Sequence, residues 1–231
     1  MILAVHIPDG FLSGGVAAVA WLAALAAILI ALKVADGELD EERVPLVGVL
    51  AAFVFAAQMI NFPVAGGTSG HLLGAALAVV MLGPWLACIV MAVVVGGQAL
   101  IFADGGIAAM GANVLNVGVL GAGVCGGLLH ALVGIRQASR AVYLGVVGAC
   151  AWLAVMVAAA ATSLELAASG TVGLQTVLIA MLATHMAIGI GEAVITVAAV
   201  RLVLAARPDL LAYRPRDAVG AVPVGATGAM G

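Results

Sequence analysis

The stretch His71-Leu-Leu-Gly-Ala-Ala-Leu-Ala-Val-Val-Met-Leu-Gly83-Pro84-Trp-Leu-Ala-Cys-Ile-Val-Met-Ala-Val-Val-Val-Gly-Gly-Gln-Ala-Leu-Ile-Phe102 decides the fold class. It holds 32 residues without one charged side chain. A soluble helix has a polar face, and a half-buried strand alternates; this run does neither. As a single helix it would measure about 48 Å, against a bilayer core of roughly 30 Å. Gly83-Pro84 supplies a break, because proline lacks the amide that would continue the helix and clashes with the preceding turn. The run therefore predicts two helical segments, the first of them short.

Similar runs lie on both sides. Gly14 to Leu32, Leu46 to Val64, Ala112 to Ile135, Ala141 to Ala161 and Thr171 to Val203 each reach membrane-spanning length. With the two above they make seven spans. The whole chain of 231 residues is 65% hydrophobic and 8% charged. Soluble domains carry about 25% charged residues, so the composition excludes a soluble enzyme and a disordered chain. With 8 Lys+Arg against 11 Asp+Glu there is no basic patch for nucleic acid. The unbroken apolar runs also exclude the alternating segments of an outer-membrane barrel. The expected architecture is an all-α polytopic membrane protein. Residues 1–206 form one transmembrane domain, and 207–231 a polar, flexible cytoplasmic tail.

Seven spans place all eight basic residues on one side, which is cytoplasmic by the positive-inside rule. Lys33 and Arg43 flank the first connection, Arg136 and Arg140 the fifth, and Arg201, Arg207, Arg214 and Arg216 follow the last span. The N-terminus then lies outside, with the loops at 65–70, 103–111 and 163–170. Met1 to Ser13 has no basic leader region and is not read as a secretory signal. Cys88, Cys125 and Cys150 stand singly in apolar runs and suggest neither disulfide nor zinc site. Ala20, Ala24 and Ala27 give the first span a small-residue face, suited either to packing within the bundle or to docking another membrane subunit.

Ionisable groups inside a bilayer call for a reason. His185 and Glu192 are seven residues apart and share one helix face. His6 and His71 both fall at the outer face. Imidazole suits nickel, copper, cobalt and zinc, so these two are candidate ligands if the fold brings them together. Asn61, Ser69, Asn113 and Asn116 are candidates to hold a ligating ring by its other nitrogen.

The run His6-Ile-Pro-Asp-Gly-Phe-Leu-Ser13 resembles the N-terminal motif of the cobalt/nickel-binding membrane subunit (S component, CbiM/NikM type) of energy-coupling factor transporters, a class of ABC importer. Asn61 to Gly74, Leu82 to Trp85, Asp104 to Asn116 and His185 to Glu192 match the same family in order. The resemblance implies a seven-helix bundle in a prokaryotic cytoplasmic membrane, with the N-terminal segment dipping inward. It implies capture of Ni2+ or Co2+ as transported ligand, the latter for cobalamin biosynthesis, with no resident cofactor. The implied ligands are the α-amine and second amide nitrogen of the N-terminus, the ring of the second residue and a histidine matching His71. An amine and the next amide close a five-membered ring, and that amide with its own Nδ1 a six-membered one. Four in-plane nitrogens favour Ni2+ or Cu2+ over tetrahedral Zn2+. The implied partners are a transmembrane coupling (T) subunit, ATP-binding subunits and, as an optional addition, a small accessory membrane subunit. The chain itself carries no GxxxxGK[ST] loop, so ATP hydrolysis falls to a partner.

Family members begin Met-His, whereas His6 here follows Met1-Ile-Leu-Ala-Val5. Initiation at codon five, with Val5 replaced by the initiator, would restore that start and make position 5 the amine ligand. Two other readings use the same residues. Gly67-Thr-Ser69-Gly70 resembles the nucleophile motif of rhomboid-like intramembrane serine proteases, with His185 as base. A single-subunit metal permease would need a relay through Glu192.

Overall fold

The computed structural model describes residues 6–37, 41, 43–63, 69–132 and 139–215, the side chains of 61–63 and 69 excepted. Seven α-helices carry nearly all of it. They are α1 (Gly14–Ala35), α2 (Val44–Gln58), α3 (Ala75–Leu82), α4 (Pro84–Phe102), α5 (Met110–Ala131), α6 (Arg140–Ala168) and α7 (Leu174–Ala206). Five of them, α1 and α4 to α7, are long and apolar enough to cross a membrane; α2 has 15 residues and α3 eight. The chain is an all-α, multi-pass membrane protein.

The expected break is present: Gly83 has φ +86° and ψ 166°, and Pro84 opens α4. At eight residues, about 12 Å, α3 is far shorter than the roughly 30 Å core. All eight of its residues are buried. A helix apolar on every side belongs inside a bundle, and α3 is enclosed by α4, α5, α6 and α7, its Leu77, Val80 and Leu82 lying in the core. α6 and α7 are longest, 29 and 33 residues, and pack along each other as an antiparallel pair.

Three boundaries differ from expectation. The second span stops at Gln58, and Asn61–Pro63 (β1) instead pairs antiparallel with Ser69–His71 (β2), Asn61 opposite His71. The segment 163–170 was expected as a loop, yet α6 continues to Ala168. Ser163 Oγ donates to the Ala159 carbonyl at 2.7 Å, one turn back, so its hydroxyl is satisfied without leaving the helix. The tail does not begin as free chain at Arg207. Leu211 is buried, and the amides of Ala212 and Tyr213 donate to the carbonyls of Met81 and Val80. Those carbonyls end α3 and have no partner within their own helix. Residues 216–231 lie outside the described residues.

The alanine face of α1 is used within this chain. Ala20 and Ala24 are buried against the chain's own helices, while Val19, Leu22, Leu25 and Leu29 on other sides of α1 are exposed. This corrects the docking expectation for Ala20 and Ala24: a partner cannot seat on side chains that the bundle already covers. Ala27 is only half-buried and borders a groove with Trp85 and Gly126.

Candidate metal centre

The described N-terminal segment runs into the bundle, and its own backbone holds it there. The Ile7 amide donates to Asn113 Oδ1 at 2.9 Å, and Asn113 Nδ2 donates back to the Ile7 carbonyl at 3.1 Å. The Gly106 amide gives that carbonyl a second bond at 2.9 Å. Two residues on, the Asp9 carboxylate accepts from the amides of Ile107 and Ala108 at 3.1 and 2.8 Å. Glycine is required opposite: a Cβ on Gly106 would lie 2.2 Å from Asp9 Oδ1 and 2.3 Å from its amide nitrogen. The Asp-Gly-Gly sequence before α5 therefore serves close backbone approach.

His6 and His71 meet at the bottom of this segment. Their ring centroids are 4.9 Å apart and the planes nearly perpendicular, at 89°. Both are buried, 3% and 6% exposed. Each ring uses one nitrogen on a fixed acceptor. His6 Nε2 donates to Gln98 Oε1 of α4 at 2.8 Å, and His71 Nδ1 donates to the Leu72 carbonyl at 2.8 Å. Those bonds place the ring proton and leave His6 Nδ1 and His71 Nε2 with no hydrogen-bond partner among the described residues. The rings are held neutral by their surroundings. Burial pushes the His6 imidazole below its usual value, against the opposing effects of the Gln98 bond and the Asp104 charge. Burial, with His6 alongside, pushes His71 down to about 3.

The turn after His71 is gripped from two helices. Glu192, in the middle of α7 and 3% exposed, accepts from the amides of Leu73 and Gly74 at 2.9 and 2.7 Å. Gln58 Nε2, at the end of α2, donates to the Leu73 carbonyl at 2.7 Å. Gly74 has φ +77° and precedes α3, so Glu192 caps the first turn of that helix from a distance in sequence of 118 residues. His185, two turns before Glu192, donates Nδ1 to the Met181 carbonyl at 2.7 Å.

A cavity of about 30 Å³ lies among His6, His71, Asn113, Asn116, Thr162 and His185. That is the volume share of one water, room for one small ion. Among the described residues no three His, Cys, Asp or Glu side chains converge at metal-ligand distance. Two of the imidazoles lining the cavity, His6 and His71, are in ring contact, and His185 forms part of its wall.

Of the residues singled out from the sequence, His6, His71, Asn113 and Asn116 are brought together. Asn113 holds the backbone at Ile7. Asn116 Nδ2 donates to Thr162 Oγ1 and Glu165 Oε2 at 3.2 and 2.6 Å, which ties α5 to α6 rather than orienting a ring. Val5, the Gly67-Thr68 part of the serine motif and the side chains of Asn61 and Ser69 lie outside the described residues. Neither Gln98 nor Gln58 is expected from the sequence as a ring-orienting or anchoring group, whereas Asp9 stands at the chain entry where a capping carboxylate is expected. An apolar run containing one glutamine was the available signal for the first two.

The family described as the cobalt uptake substrate-specific transmembrane region, CbiM, matches residues 6–210. The chain belongs to this family. A protein of Haloquadratum walsbyi named for metal transport is 40% identical over 208 residues, 89% of this CbiM-family chain and 93% of its own length. The fused nickel transport protein NikMN of Rhodobacter capsulatus is 36% identical over 223 residues, 90% of this chain. The chain spans 64% of that fused protein's length. The crystal structure of a truncated transition metal transporter superposes with TM-score 0.80 at 33% identity, covering 87% of this chain and 98% of that one.

Proposed function

We propose that this CbiM-family chain is the ion-capturing membrane subunit of an energy-coupling factor importer for Ni2+ or Co2+. The observation that carries the reading is the His6–His71 pair, buried at one cavity, each ring with one nitrogen fixed and the other bare. A neutral imidazole with its second nitrogen bonded to an acceptor is the usual state of a metal-ligating histidine. His6 Nδ1 is the nitrogen that closes a six-membered chelate with its own backbone amide, and it is the one left bare. With initiation at codon five, the amine of position 5 would complete a four-nitrogen set, which favours Ni2+.

In this reading residues 1–206 form the capture domain. The N-terminus faces outward, and the basic ends of α1, α2, α6 and α7 face the cytoplasm. ATP is hydrolysed on partner subunits, and a coupling subunit contacts the exposed side of α1 around Ala27. The ion is cargo, so the chain performs no chemistry on it.

The test is elemental analysis of the purified full chain after loading with Ni2+ or Co2+. One ion per chain is expected, reduced to near zero in H6A and in H71A, with folding checked by thermal unfolding. Full stoichiometry in a folded H71A protein would overturn the assignment. Intact mass of the metal-loaded native protein tests the start site, since a mass that includes Met1 to Ala4 would reject position 5 as the amine donor.

A further inference from the structure

A groove of about 870 Å³ opens on the outer surface of the α6–α7 pair, remote from the histidines. Its floor is built from small and branched residues, among them Gly145 and Gly148 of α6 and Ala193 and Val197 of α7. Arg140 lies at one end of it, and Arg201 toward the same end, one turn before Ala205. Both are exposed, and neither makes an ion pair or hydrogen bond among the described residues. Arg140 is also the first residue of α6, whose opening amides Ser139 caps only in part: its Oγ accepts from Val142. Two guanidinium groups and a helix N-terminus therefore present positive charge at one mouth of an apolar channel.

At the other end the lining stops at Gly148 and Ala193. One turn beyond Gly148, Trp152 lies across α7, donating Nε1 to the Met186 carbonyl at 3.4 Å. It fits there because position 189 is glycine; a Cβ at Gly189 would stand 2.8 Å from the indole. The lining runs from Arg140 to Gly148 on α6 and from Ala193 to Ala205 on α7, about 12 and 18 Å of helix rise. Half of a roughly 30 Å bilayer core is about 15 Å. The groove is one leaflet deep. A partner's spanning helix would need a face that continues past Trp152, whereas an acyl chain entering from the interface stops there.

We propose that this groove is a binding site for an anionic phospholipid, the phosphate between Arg140 and Arg201 and one acyl chain along Gly145 and Gly148. Basic pockets between transmembrane helices hold acidic headgroups through the same chemistry, and guanidinium bonds to phosphate are charge-assisted. The site is independent of the metal assignment.

Native mass spectrometry of the full chain, titrated with phosphatidylglycerol and with phosphatidylcholine of equal chain length, tests it. The parent protein is expected to retain phosphatidylglycerol about thirtyfold better, which is what two basic residues near an acidic surface supply. R140Q/R201Q should bring the two lipids to parity. G145L should weaken retention of both, because nothing lies within 4 Å of a Cβ at Gly145 and the added side chain fills the groove without strain. Equal retention of the two lipids by the parent would overturn the proposal. So would a preference that survives in R140Q/R201Q, or unchanged binding in G145L. If R140Q/R201Q instead loses co-purifying subunits while keeping its lipid preference, the surface is a protein contact and the lipid assignment fails.

Discussion

Gln98 and His6 stand 92 residues apart in the chain, yet the glutamine's Oε1 accepts the His6 Nε2 proton at 2.8 Å inside the bundle. That bond makes His6 Nδ1 the free nitrogen. Q98L would keep the volume and remove the acceptor. The expected result is a 10- to 100-fold loss of Ni2+ affinity by isothermal titration, the range typical when a ligating histidine loses its orienting partner. Q98E, which still accepts, should recover much of it.

Asn113 exchanges two bonds with the backbone of Ile7, and Asp9 caps the opposite loop. N113L breaks both bonds; the Ile7 carbonyl keeps the Gly106 amide, but the buried Ile7 amide loses its acceptor, a cost of about 1–3 kcal/mol in similar settings. Thermal unfolding should show the loss. Metal affinity should fall further than the stability change alone explains, because His6 is the neighbouring residue.

Glu192 holds the turn that carries His71. E192Q can accept only at Oε1, so one of the Leu73 and Gly74 amides loses its acceptor and faces an NH2 group instead. Destabilisation of about 1–3 kcal/mol is expected. A shift in the Ni2+ ligand-field absorption, read on protein that remains folded, would separate displacement of His71 from general unfolding.

The pH dependence of the metal-free protein follows from His71, whose ring is pushed down to about 3 by burial and by His6. In the unfolded chain the same ring titrates near 6.5. Protonation therefore favours unfolding. The stability from keeping His71 neutral is complete above about pH 6.5 and is lost progressively as pH falls toward about 3. His6 shifts in the same direction. Thermal midpoints measured from pH 7 to 4 should fall, and an H71F variant should show a shallower decline. Chain-end amine ligation, by contrast, would make metal affinity pH-sensitive already near 8.

Ala24 and Ala27 separate packing from assembly. A24L forces a larger side chain into a buried contact and should cost about 1–3 kcal/mol. A27L, on a half-buried position beside a groove, should leave thermal stability nearly unchanged and lower the yield of co-purified partner subunits.

The helices were legible because apolar length and the Gly83-Pro84 break state the physics of a bilayer directly. The partnership of His6 with His71 was also open to reading, through the motifs that surround them. What was hidden is long-range. Nothing near Gln58 or Gln98 says which loop each amide serves, and the Glu192 carboxylate reaches its amides 118 and 119 residues away. The helical continuation past Ser163 was missed because a polar cluster at a span end looks like a loop, whereas the structure satisfies Ser163 on the preceding turn. The Ala20–Ala24 face was ambiguous in principle, since close packing inside a bundle and against a neighbour uses the same residues.

The contact of Ala212 and Tyr213 with the end of α3 bears on how the chain can be shortened. Trimming after Ala206 would strip two buried carbonyls of their donors and uncover Leu211's seat, loosening the short helix behind the His71 turn. A cut placed after Pro215 removes the Gly- and Val-rich end while leaving that latch shut.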